Sequence, residues 1–411
     1  MRATKDSGFE WIGIIPSEWG LSRIGQVYRL RNTKVSDTDY PPLSVTNKGI
    51  VPQLDTAAKT NAHDDRKLVK KGDFAINSRS DRRGSCGISD YDGSVSLINT
   101  ILAPLNEMNP GYYDWLFHTV QFGDEFYKFG HGIVDDLWTT GWQEMKKITI
   151  PTPPLSEQKR IADFLDAKCA EIDALTADIQ AQIDTLEQYK RSVITETVTK
   201  GLNPDTETKD SGVQWIGNMP AHWDVIRGKY ILRYMQKPVR EDDGVITCFR
   251  DGEVTLRSNR REDGFTMSDK EIGYQGIDVG DLVVHGMDGF AGSIGISDSR
   301  GKASPVLNVL DTDQCKRYIM YYLRSMAYSD VFLALATGIR VRSCDLRWNK
   351  LAELSYPVPP LDEQNAIVKH IDSVLSKADA VIADKKAQLA TLDEYKKSLI
   401  FEYVTGKKEV I

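Results

Sequence analysis

The sequence predicts a mixed α/β fold in which two globular units alternate with two long helices. Three observations carry that expectation. The chain has 411 residues, more than one ordinary domain uses. Its first half recurs in its second, and two stretches of about 45 residues show an apolar rhythm of helical period.

The repeat has three blocks. Lys5, Asp6, Ser7, Gly8, Trp11, Ile12, Gly13, Pro16 and Trp19 return as Lys209, Asp210, Ser211, Gly212, Trp215, Ile216, Gly217, Pro220 and Trp223. Gly72-Asp73 and Gly84 to Asp90 return 208 residues later as Gly280-Asp281 and Gly292 to Asp298. Pro151, Pro153, Pro154, Leu155, Glu157, Gln158 and Ile161, with Tyr189, Lys190, Ser192, Ile194, Glu196 and Thr199, return 206 residues later without a shift. Insertions are thus confined to the early part of each unit, because a one-residue slip in a helix would turn every side chain off its face.

The helices are expected over 155–200 and 361–405. In the first, Leu165, Lys168, Ile172, Leu175, Ile179, Gln182, Leu186, Tyr189 and Val193 alternate in steps of three and four. The second gives Ile371, Val374, Ala378, Val381, Lys385, Gln388, Leu392, Tyr395 and Leu399 in the same rhythm. The two stripes are expected to face each other in an antiparallel coiled coil. The packing residues would be Leu165, Ile172, Leu175, Ile179, Leu186 and Tyr189 against Ile371, Val374, Val381, Leu392, Tyr395 and Leu399. Each helix follows a Pro-Pro pair, which favours extended backbone, with Ser156 or Asp362 placed to accept a backbone N–H. Glu157 and Glu363 suit the positive helix end, and Gly201 and Gly406 mark the stops. Each rod spans roughly 65 to 70 Å at ~1.5 Å per residue, so it acts as a spacer between globules at opposite ends of a pseudo-two-fold monomer.

The expected boundaries are a globule over 1–154, a helix over 155–200, a linker over 201–211, a globule over 212–360, a helix over 361–405 and a tail over 406–411. Within each globule, Asp73 to Ile76 with Gly84 to Ser89, and Asp281 to Val284 with Gly292 to Ser297, read as strands joined by Gly-rich turns. Tyr112 to Phe126 and Tyr318 to Phe332 read as helical.

A net charge of −7 argues at first against a polyanionic partner. Residues 155–200 hold nine acids against six bases and residues 361–405 eight against six, so five of the seven charges lie on the helices. The remainder is nearly neutral. Five cysteines, Cys86, Cys169, Cys248, Cys315 and Cys344, lie far apart with no C-x-x-C pair, as free thiols in a reducing compartment would. The polar start and the lack of any apolar run of membrane length imply a cytoplasmic protein.

Tandem copies of Trp-Ile-Gly-x-x-Pro-x-x-Trp, a divergent mixed domain and Pro-Pro-Leu-x-Glu-Gln opening a long helix resemble the specificity subunits of type I restriction-modification systems. The resemblance covers nearly the whole chain. It implies that each globule is a target recognition domain reading half of a split double-stranded DNA sequence. It also implies helices that set the gap and dock two adenine methyltransferase subunits, with restriction/translocase subunits joining the assembly. S-adenosylmethionine, ATP and Mg would then be used by those partners, with no cofactor or metal in this chain and no catalytic residue.

Candidate DNA contacts are Asn77, Arg79, Arg82 and Arg83 in the first domain and Arg257, Asn259, Arg260 and Arg261 in the second. Arg and Asn suit guanine and adenine edges and phosphates. The bland reading makes them solvated loops or partners of Asp81, Glu262 and Asp263. His131, Arg340 and Arg342 lie in corresponding loops ahead of Trp142 and Trp348, and His285 ends a strand; a lone histidine there is more often structural. Trp11, Trp19, Trp215 and Trp223 recur in units expected to read different bases, which favours packing against the helix ends.

Enzymatic readings fail on spacing. From Gly295 to Gly301-Lys302-Ala303 is one residue too long for a phosphate-binding loop and lacks its hydroxyl. Pro204-Asp205 and Glu207-Thr208-Lys209 set their acids too close for a nuclease site. A methylation-only phage-defence complex and a coiled-coil protein scaffold are the rival readings; a neighbouring translocase gene separates the first, and absence of any DNA sequence preference the second.

Overall fold

A computed structural model describes residues 2–53, 63–79, 84–132, 138–260, 272–335 and 346–410. The chain forms two compact units, Met1–Ile179 with Lys386–Ile411, and Gln180–Lys385. Each unit therefore contains one globule, the start of one long helix and the end of the other.

In the first unit a hairpin pairs Thr4–Asp6 with Ile14–Pro16, and Gly20–Arg23 pairs with Thr149–Thr152 just before the helix. The central sheet is antiparallel, in the order Cys86–Ile88, Phe74–Asn77, Asn99–Pro104, Tyr28–Leu30. Successive side chains of its middle strands enter opposite cores. Phe74, Ile76 and Leu102 join Tyr28, Tyr113 and Phe117 on one face, while Ala75 and Ile101 join Leu43, Val69 and Val95 on the other.

The second unit repeats this plan. Thr208–Asp210 pairs with Asn218–Pro220, so the stretch expected as a linker supplies the first strand of the domain. Asp224–Arg227 pairs with Ser355–Val358. The central sheet runs Ile294–Ile296, Leu282–His285, Leu307–Thr312, Leu232–Met235. Leu282 and Val284 face one core and Val283 the other. The repeated Gly-Asp pair is structural. Asp73 takes the Arg31 guanidinium and the Lys70 N–H, and Asp281 takes Lys237 and the Asp278 N–H.

The aromatic stretches are helical with breaks. Pro110–Phe117 stops before Val120–Lys128 because Thr119 caps the second helix, its hydroxyl accepting the Phe122 N–H. Lys316–Tyr328 is continuous, and Asp330 at φ 55° separates it from Val331–Ala334.

The long helices are Leu155–Lys200 and Leu361–Val404. Ser156 and Asp362 lie inside the first turn and are not the caps, because each helix begins two residues earlier than a cap at those positions requires. Gln158 N–H donates to the Pro154 carbonyl and Gln364 N–H to that of Pro360. The motif residues do other work. Glu157 accepts from Trp19 Nε1 at 2.9 Å and from Arg2 at 2.7 Å, and Glu363 accepts from Trp223 Nε1 at 3.1 Å and contacts His222 Nε2 at 2.8 Å. Burial raises the Glu157 pKa, but the bonds from Arg2 and Trp19 outweigh it and hold the carboxyl below the usual range. Gln158 and Gln364 are buried. Their Oε1 atoms accept the backbone N–H of Asn109 and Cys315, which cap the aromatic helices, and their Nε2 atoms donate to the Pro153 and Pro359 carbonyls.

The opposite helix ends are held by the same aromatic helices. Tyr112 OH donates to the Val404 carbonyl at 2.8 Å, and Tyr318 OH to the Val198 carbonyl at 3.0 Å. Gly201 at φ 75° and Gly406 at φ 69° follow the last turns; a Cβ on Gly406 would lie 2.4 Å from Pro16 Cδ.

Within each unit the two helical segments run antiparallel. Phe164 meets Tyr403 and Asp173 meets Lys396 in the first; Lys190 meets Asp379 and Gln182 meets Lys385 in the second. The pairs Asp173–Lys396 and Lys190–Asp379 use the same two repeat positions, each at 2.6 Å.

The stripe differs from expectation in one row. Leu165, Ile172 and Ile179 are buried and Leu186 is half-buried, as are Val374 and Leu392, while Ile371 and Leu399 are buried. Leu175, Tyr189, Val381 and Tyr395, expected inside, are each about half exposed. Their inward places fall one residue later, at Thr176, Lys190, Ile382 and Lys396, just as Cys169 and Ile183 replace Lys168 and Gln182. At Lys190 and Lys396 apolar character selected the wrong neighbour because a lysine stem packs while its ammonium reaches an acid, whereas at Ile382 both neighbours are apolar and residue type does not distinguish them.

Two outcomes follow. Gly212→Ala, with φ 69° and open space at the Cβ, should cost about 1–2 kcal/mol from backbone strain. Gly406→Ala should cost more, because the Pro16 ring adds overpacking of ~1–3 kcal/mol, and calorimetric melting compares them. Reversing Asp173→Lys should lower stability slightly and Lys396→Asp should restore it in the double variant, with a coupling of about 0.5–1 kcal/mol in urea titrations.

Candidate nucleic-acid interface

In the first domain Asn77 ends the strand Phe74–Asn77, and its Oδ1 accepts the Arg79 N–H at 3.1 Å. Arg79 pairs through its backbone with Thr139, which also pairs with His131, so Asn77, Arg79 and His131 converge on one edge. Trp138 stacks on Tyr127 at 5.3 Å, and with Asn77, Arg79, Phe122 and Phe126 it lines a cavity of only about 30 Å³. That is room for about one water and not for a base. Arg82 and Arg83 lie outside the described residues.

In the second domain His285 ends the equivalent strand, Leu282–His285. Its Nδ1 accepts the Met287 N–H at 3.2 Å and the Asp288 N–H at 3.0 Å. Backbone N–H groups only donate, so Nδ1 is unprotonated and Nε2 bears the hydrogen. Burial lowers the pKa of the imidazole against the pull of Asp288, and Arg250 lowers it further, which keeps the ring neutral near pH 7.

His285 lines an open cavity of about 560 Å³ together with Arg250, Arg257, Arg260, Asp251 and Asp288. Three guanidiniums against two carboxylates make it positive. The three are not equally available: Arg260 is held by Asp251 at 2.8 Å and Glu253 at 3.0 Å over the Phe249 ring, and Arg250 contacts Asp288 at 3.2 Å. Arg257 donates to the Thr247 hydroxyl at 3.3 Å, and Asn259 donates to the Thr255 hydroxyl at 3.0 Å. Among the described residues the acids meeting Arg260 are thus Asp251 and Glu253, across a turn; Glu262 and Asp263 lie outside the described residues. Arg261, Arg340 and Arg342 lie outside the described residues.

Arg250 was not among the residues singled out from sequence. It lines the cavity from a turn in which its carbonyl lies 2.6 Å from where a Cβ on Gly292 would stand, a contact between distant turns that no local spacing records. The tryptophans serve packing: Trp19 and Trp223 bond the helix-opening glutamates, and Trp215 Nε1 donates to Tyr322 OH.

Among the described residues no group of three or more His, Cys, Asp or Glu is arranged to hold a metal, and no helix is long and apolar enough to cross a membrane. Cys86, Cys169, Cys248 and Cys315 are free thiols, and burial pushes that of Cys248 up to about 12. Cys344 lies outside the described residues.

Residues 16–185 match the family model described as "Type I restriction modification DNA specificity domain". The chain is 24% identical to the type I restriction enzyme MjaVIII specificity subunit of Methanocaldococcus jannaschii, over 100% of this chain and 98% of that protein. It is 26% identical to the putative MjaX specificity subunit of the same organism, over 65% of this chain and 61% of that protein. A chain solved in work on complex assembly and conformational transition of the type I R-M system shares the fold. Its TM-score is 0.70 at 14% identity, covering 96% of this chain and 99% of that one. The first domain and the start of the first long helix thus match that family model, and over its whole length the chain is similar to a type I restriction enzyme specificity subunit.

Proposed function

We propose that this chain gives a type I restriction-modification complex its DNA sequence preference, each recognition domain reading one half of a bipartite double-stranded target. The observation that supports this most is one backbone frame built twice with unlike side chains at the same strand end, Asn77 and His285. Base pairs present distinct donor and acceptor patterns in the major groove, so two copies of one frame with different side chains suit two different half-sites. Asn77, Arg79, Arg82, Arg83 and His131 serve one half-site, and Arg257, Asn259, Arg260, Arg261, His285, Arg340 and Arg342 the other.

In this reading the helix pair sets the spacer and docks two adenine methyltransferase subunits, and the assembly recruits restriction/translocase subunits. The partners supply the S-adenosylmethionine, ATP and Mg chemistry, while this chain, present once, supplies none. Recognition domains of nearly balanced charge form few phosphate contacts, so tight binding depends on the partners.

Docking of two copies is favoured by the exposed row of the helices. Leu175 and Tyr395 in one unit correspond by the repeat to Val381 and Tyr189 in the other, each about half exposed. One partner surface can thus be met twice. Tyr189→Arg with Val381→Arg should reduce the methyltransferase count per complex from two to one by native mass spectrometry; retention of both copies contradicts this docking face.

Methylome sequencing of cells with and without the gene should reveal methyladenine in a split motif that depends on this chain. Exchanging residues 20–150 for those of another family member should change one half-site only; a change in both contradicts domain-wise reading.

A further inference from the structure

The two strand ends sit in frames that coincide bond for bond. Asn77 is opposite Asn99 as His285 is opposite Leu307, and Ile76 is opposite Cys86 as Val284 is opposite Ile294. The N–H of Asn77 donates to the Ser85 carbonyl at 2.9 Å, and that of His285 to the Ser293 carbonyl at 3.0 Å. The next residue, Ser78 or Gly286, donates to the Ile98 or Val306 carbonyl and accepts from the Thr140 or Leu346 N–H. Every one of these partners is displaced by 208 residues, except the last, displaced by 206.

Within that constant frame the side chains differ in chemistry yet make the same local bond. Asn77 Oδ1 accepts the N–H two residues on, from Arg79, and His285 Nδ1 accepts the N–H two residues on, from Met287. Each side chain thereby spends an acceptor on its own turn. His285 is left with only its single Nε2–H donor, and Asn77 with its amide NH2 donors beside the second lone pair of Oδ1. Both residues are half-exposed; Asn77 borders the cavity of about 30 Å³ and His285 the open one of about 560 Å³.

We infer that this strand end is a base-reading position common to both domains, at which a side chain locked by its own turn presents a hydrogen-bond donor to an acceptor on a base edge. The inference rests on the reading of the two domains as DNA-recognition modules. The acceptor class is purine N7, guanine O6 or thymine O4, the groups the major groove offers to a donor. Fixing the donor in advance matters because a side chain free to rotate could turn either its donor or its acceptor to the groove and discriminate poorly. The different donor counts, two on Asn77 and one on His285, make the two domains prefer different base pairs with no change of backbone.

The competing assignment is that the residue only closes its turn. His285→Asn separates the two, since asparagine also accepts from the N–H two residues on but presents a different donor. Asn77→Asp retains the acceptor for Arg79 and removes the donor. Each variant is assembled with its methyltransferase subunits, and binding to a randomised duplex library is read position by position in both half-sites. The expected result is a change in preference of roughly ten- to a hundredfold at one base pair, in one half-site for His285→Asn and in the other for Asn77→Asp. Unchanged preferences in both variants overturn the inference in favour of turn closure. Uniform weakening over all sequences with a shallower salt dependence overturns it in favour of a phosphate contact. If the unmodified complex shows no bipartite preference, the underlying DNA-recognition reading fails first, and the two failures are thereby told apart.

Discussion

The buried hydrogen bonds at the start of each long helix are the constraint on which the rest depends. Gln158 and Gln364 lie in the core with both ends of the amide engaged, one to the capping residue of an aromatic helix and one to the Pro-Pro carbonyl. Such a group has no alternative to its partners once water is excluded, and leaving either end unmade costs about 1–3 kcal/mol. Apolar burial alone would tolerate a helix rotated or slid by part of a turn. The glutamine does not, so the direction in which each helix leaves its domain is set by directional bonds.

The same aromatic helix closes the other side of the arrangement. Tyr112 and Tyr318 donate to the last-turn carbonyls of the second helical segment in their unit, groups that a helix end leaves without intrahelical partners. One short helix therefore holds a helix start through a backbone N–H and a helix end through a phenol. Antiparallel pairing of the segments follows from this, and the two equivalent ion pairs at 2.6 Å add register with little stability of their own.

The central sheet is buried on both faces, and that is why its backbone is the constant part of the duplicated domain. Phe74, Ala75 and Ile76 alternate between two cores, as do Leu282, Val283 and Val284, so a shift in either strand would disturb both. Variation is admissible where the strand leaves the cores, at Asn77 and His285. A rigid frame with freedom confined to its edge is what precise recognition requires.

The sequence by itself determined the duplication, both long helices, the Gly-Asp strand pairs and the role of the tryptophans, because each leaves a repeated or periodic trace along the chain. It also marked Asn77 and His285 as candidates from residue type and strand position. It misplaced one row of the helix stripe: whether Tyr189 or Lys190 turns inward is decided by an aspartate on the partner segment, Asp379, far away in the chain. The strand Thr208–Asp210, the cavity contributed by Arg250 and the engagement of Arg260 by Asp251 and Glu253 were likewise settled only in three dimensions. Periodicity reports which face of an element is apolar, whereas the partner of a charged or hydrogen-bonding group is fixed by chain closure, which no local pattern encodes.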